Sequence, residues 1–139
     1  MLPINLLAVL VAAIVAFILG FLFHGPILGK TWMRLANIKM TGKEKMSDMY
    51  GQMFWNFVAN FITAYVLAIV YLFASNSPFT NGATIDTGLM CGFWVWLGFL
   101  VTSTSIEVIW MGKSRTLWLF EVGCSLVVML AMGAIIAAF

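Results

Sequence analysis

Asn56 and Asn60 stand four residues apart in an otherwise apolar stretch, so a helix there carries both amides on one face, with Thr63 and Tyr65 above them. Counted from Met49 they lie about 10 and 16 Å along the helix. A second polar set, Thr102, Ser103, Thr104, Ser105 and Glu107, precedes Gly112–Arg115, and Glu121 and Ser125 follow it. If those four residues close an antiparallel hairpin, residues whose numbers sum to about 228 share a depth, which sets Glu107 beside Glu121 and Ser103 beside Ser125. Two facing carboxylates do not both ionise readily and would share a proton. With His24 at the end of the first apolar run, these residues describe a proton-sensitive or cation-attracting vestibule, with the asparagines as its hydrogen-bonding lining. A structural alternative stands beside it: the glutamates pair with Lys113 and Arg115, and the asparagines bond helix to helix.

Other chemistry is weakly represented. A lone histidine builds no metal site, and His24, just before Gly25-Pro26, reads as an interfacial hydrogen-bonder before it reads as a haem ligand. The ten methionines have no repeated ligand spacing and suit flexible packing better than copper. On the same hairpin Cys91 and Cys124 differ in depth by about 20 Å, too far for a disulfide, and read as packing residues. No nucleophile with its base, phosphate loop or chelating pair is present in the sequence, so neither an enzyme nor a cofactor is expected.

The elements that must hold these residues follow from composition. Only 9% of the 139 residues are charged and 63% are hydrophobic, with a mean hydropathy of +1.06. A soluble domain could not hide that much apolar surface, whereas lipid covers it at no cost. Uncharged stretches run from Met1 to Gly29, Met49 to Ile85, Thr87 to Ile106 and Val122 to Phe139. Each can supply the roughly 20 residues a membrane helix needs. The predicted fold is an all-α membrane protein with spans over Ile4–Phe23, Tyr50–Ala74, Gly88–Met111 and Thr116–Ala138. Between spans one and two, the segment from Pro26 to Asn37 predicts a short amphipathic helix. Leu28, Trp32 and Leu35 share one side and Lys30 and Arg34 take the other, as in a helix lying at the inner interface with its basic side chains toward lipid head groups. Ser47 is the expected N-cap of span two.

All seven basic residues lie between spans one and two or between spans three and four. Positive residues in short loops stay in the cytoplasm, so both termini are expected on the periplasmic or outer face. The first span lacks a basic leader and is not expected to be a cleaved signal. Trp32, Trp55, Trp110 and Trp118 fall near the inner boundary, where indoles settle. Ala8, Ala12, Ala16 and Gly20, and likewise Gly88 and Gly92, repeat every fourth residue and mark faces where another backbone approaches closely, within the chain or between copies.

The segment His24-Gly-Pro-Ile-Leu-Gly-Lys-Thr-Trp-Met33, with Gly92-Phe-Trp-Val-Trp-Leu-Gly98 and Met132-Gly-Ala-Ile-Ile136 later, resembles the bacterial domain-of-unknown-function 1761 family over essentially the whole chain. The resemblance implies the architecture and a bacterial inner membrane, and no mechanism. Asparagines late in span three and an aromatic-glycine pair in span four belong to the family pattern. This chain departs from it with Ser105, Ile106 and Glu107, and with Glu121 to Cys124. The functional expectation is a channel, transporter or proton sensor working through the inner-half polar cluster, homo-oligomeric and in contact with membrane lipids. The alternative is a non-transporting accessory or scaffold subunit of a larger membrane complex. No nucleic-acid partner is expected.

Overall fold

A computed structural model describes residues 2–39, 42–43 and 45–139. Among these residues the chain is helical without strands, and four helices are long and apolar enough to cross a membrane. The first, α1 (Leu6–His24), is capped by Asn5, whose side-chain oxygen accepts from the Leu7 and Ala8 amides at 3.1 and 3.3 Å. It stops at Gly25-Pro26. Gly25 is required here because a Cβ would lie 2.7 Å from the Phe21 carbonyl oxygen. Pro26 lies in the turn that follows α1, and α2 (Gly29–Ala36) begins three residues after it. Asn37 then takes the left-handed conformation (φ 57°) and ends α2.

A 3-10 turn, Met46–Met49, leads into α3 (Tyr50–Ser75). Ser47 lies inside that turn, and the cap is supplied instead by Asp48, whose carboxylate accepts from the Lys45 amide at 3.2 Å. After the loop to Thr84, the third membrane helix is continuous from Ile85 to Trp110 but irregular. It consists of α4 (Ile85–Val95), a π-helical segment Trp96–Val101, and α5 (Thr102–Trp110). The hydroxyl run accounts for that irregularity. Thr102 donates to Gly98 O at 2.7 Å, Thr104 to Leu100 O at 2.7 Å and Ser103 to Phe99 O, so side chains bond the carbonyls of the widened turn. Gly112, at φ +69°, makes the tight reversal into α6 (Arg115–Ala138).

Packing is concentrated at the end of the bundle that carries both termini. Val9, Ala12, Ala13 and Ala16 of α1, Ala64, Leu67 and Ala68 of α3, Cys91 of α4 and Met129, Met132 and Ile136 of α6 form one buried cluster. Between α4 and α6 the backbones nearly touch. A Cβ on Gly88 would sit 2.7 Å from Ala137 Cβ and 2.9 Å from the Gly133 carbonyl carbon. The small-residue faces are thus filled within the chain, as lipid requires: association there comes from close van der Waals contact. Toward the basic end the pattern changes. Gly20 is the exception in its stripe, since a Cβ on it meets nothing within 4 Å. The outward surface is apolar throughout, with Leu7, Ile62, Phe73, Phe99 and Ile109 all exposed.

Candidate functional site

Toward the basic end the helices border an open-sided cavity of about 750 Å³. Along α6 its wall runs from Glu121 to Met132, about 16 Å at the α-helical rise. From α1 come Phe17, Gly20, Phe21 and His24; from α3, Met53, Asn56, Asn60 and Thr63; from α6, Glu121, Cys124, Ser125 and Met129, with Trp32 of α2 closing the basic end. Gly20 leaves the space, and Phe17 against Phe57 (ring centroids 6.1 Å apart, edge to face) holds α1 on α3 beside it.

The convergence expected from the sequence is therefore partial. His24, Asn56, Asn60, Glu121 and Ser125 share the cavity wall, whereas Glu107 and Ser103 do not line it. His24 Nδ1–H donates to Gly20 O at 2.9 Å, and its ring meets Trp32 edge to face at 5.0 Å, which orients both side chains. Asn60 donates to Asn56 O at 2.9 Å and to Asn56 Oδ1 at 3.3 Å, so the asparagines bond along one helix and not between helices. Ser125 accepts from Trp96 Nε1 at 3.0 Å and donates to Val122 O at 2.8 Å.

Ser103 is not opposite Ser125. The hairpin register differs from the regular-helix expectation: Trp96 faces Ser125, and Trp118 Nε1 donates to Thr104 Oγ1 at 3.0 Å. These pairs sum to 222 and 221, nearly the same on the two sides of the π segment Trp96–Val101, so the offset from 228 is already present between that segment and the turn. Nor do the glutamates share a proton face to face. Lys113 Nζ stands between them, 2.7 Å from Glu107 Oε2 and 2.5 Å from Glu121 Oε2. Hydrogen bonds to Glu107 and then Glu121 raise the Lys113 ammonium above its ordinary range. One ammonium between two carboxylates leaves the clasp with one net negative charge. Lys113 is the cation of both ion pairs found among the described residues, and Arg115 takes part in neither.

Several wall residues carried no signal at the level of sequence. Gln52, Cys124 and the methionines Met46, Met49, Met53, Met129 and Met132 all line the cavity. Of these, Met129 and Met132 also belong to the buried cluster, so their thioethers join the packed half to the cavity wall. Cys91 is instead buried in the packed half.

A sequence profile described as "Protein of unknown function (DUF1761)" matches residues 7–137. The chain belongs to this family. The matched region spans every wall residue of the cavity and both ion pairs. No curated protein and no solved structure matches the sequence.

Proposed function

We propose that this DUF1761 protein is a non-catalytic solute-binding protein of the bacterial inner membrane. It admits a small, mainly apolar molecule from its cytoplasmic, basic end into the intramembrane cavity, as a sensor or as one state of a carrier. The observation that carries the reading is the asymmetry of the bundle: a cavity at one end and buried alanine and glycine contacts at the other. A volume of about 750 Å³ with mostly apolar walls and a few polar groups has the size and character of small-molecule sites. A continuous pore fits poorly, because Ala12, Leu67 and Ile136 fill the bundle beyond the cavity. The basic loops support the orientation. Exposed Lys30 and Arg34 support an interfacial α2 whose basic side faces lipid head groups while Trp32 caps the cavity. The small-residue faces lend no support to a scaffold, since they are occupied within the chain.

Cys124 tests the site directly. In native membranes N-ethylmaleimide is expected to alkylate Cys124 and spare buried Cys91, and Gly20→Phe, which fills the cavity, should protect Cys124. Equal labelling of Cys124 in both proteins would remove the pocket from consideration. Proteoliposomes should hold a proton gradient as long as empty liposomes, and a rapid collapse would restore the channel reading.

A further inference from the structure

The charge of the cavity wall is one-sided. Among the described residues Glu121 is the carboxylate of the wall, and no lysine or arginine lines it. The Lys113 ammonium reaches this carboxylate through Oε2 and is also committed to Glu107, so the clasp retains a net negative charge at the cavity's basic end. The same wall offers what a large, weakly hydrated cation prefers. Phe21 and Trp32 bring aromatic rings, whose faces attract positive charge, and Met49 and Met53 bring polarisable sulfur. Asn60 donates within its own helix, to Asn56 O and Asn56 Oδ1, which leaves the Asn60 Oδ1 free to accept among the described residues. An anion would find no lysine or arginine among the described residues of the wall, and Lys30 and Arg34 are outside it.

We propose that the ligand is a lipophilic organic cation, a protonated amine or a quaternary onium ion. Its charged centre sits by Glu121 and its apolar groups extend toward Met129. This rests on the pocket reading above and adds the sign of the ligand's charge. A small inorganic cation would leave most of the cavity unfilled and would lose hydration that the thioether and aromatic wall does not replace.

Three probes of similar aromatic bulk test the sign: tetraphenylphosphonium, neutral triphenylphosphine oxide and tetraphenylborate. Binding to the full chain in nanodiscs is measured against nanodiscs carrying Gly20→Phe, which subtracts partition into lipid. The phosphonium is expected to bind roughly tenfold or more tightly than the neutral probe, with the borate weakest, as charge complementarity in a low-dielectric site dictates. Glu121→Gln should abolish most of that preference and leave the neutral probe's affinity within about twofold, because Lys113 keeps its bond to Glu107. Equal Gly20-dependent binding of all three probes overturns the cation assignment and leaves the pocket standing. Absence of Gly20-dependent binding by any probe overturns both. The comparison among probes on the unmodified chain requires no variant at Glu121, so it decides the sign even if Glu121→Gln fails to fold.

Discussion

The termini half of the bundle is joined by alanine and glycine, the basic half is lined by methionine, aromatic and amide side chains, and the two behave differently because lipid supplies no hydrophobic drive between helices. Where side chains are small, backbones approach and dispersion holds them: Gly88 lies against Gly133, and Val9, Ala12 and Ala13 are fully buried. Where the stripe reaches Gly20, no neighbour comes close and the helices part. One four-residue repeat thus runs from a seal into an opening. The lesson is that a small residue permits close approach without producing it; a complementary small face on the partner helix is also needed.

Substitutions that exchange the character of the two halves sharpen this contrast. Leu67, 1% exposed, anchors the sealed half. Leu67→Ala should cost about 3 kcal/mol of stability in denaturation by a strong detergent, and Met53→Ala on the cavity wall less than about 1 kcal/mol. Gly88→Ala and Gly20→Ala are expected to differ in sign. The first forces the α4–α6 contact apart at a cost of about 2 kcal/mol, while the second gains about 0.5 kcal/mol by replacing glycine in a helix with open space around it. Equal effects at the two glycines would refute the division.

Lys113→Met leaves Glu107 and Glu121, 46% and 32% exposed, without their common partner, and should cost about 1 kcal/mol at neutral pH. The sign with pH follows from the raised ammonium. Its contribution is fully present below the ordinary lysine range and lost as pH climbs through the higher folded value, so on the alkaline side wild type and Lys113→Met should converge under strongly alkaline conditions. The smallest effect is expected at Asn60. Its amide bonds only within α3, so Asn60→Leu should change thermal stability by no more than a few tenths of a kcal/mol, while altering what the cavity accepts.

The membrane helices were legible because hydropathy over twenty residues is a sum that local detail cannot disturb. Gly88 and Gly92 were legible as close-packing positions, although their partner, Gly133 with Met129, was not. At the site, depth could be counted along each helix, and His24, Asn56, Asn60, Glu121 and Ser125 line one cavity. Depth is one coordinate of two. The face that a residue presents depends on helix rotation, and rotation of the third span depends on a π segment that hydropathy does not reveal. Ser103, on the loop side of that segment, bonds its own helix's carbonyls, and Trp96 takes the place opposite Ser125.

By itself the sequence determined the solvent, the number of helices long enough to cross it, the end at which positive charge collects and the polar residues available there, all of which depend on composition along one dimension. Tertiary structure alone decided that Lys113 separates the two glutamates, that five scattered methionines share a wall with Cys124, and that Gly20 borders space where Ala12 borders none. These outcomes turn on the relative rotation and divergence of helices distant in sequence, which close packing at one end imposes on the other.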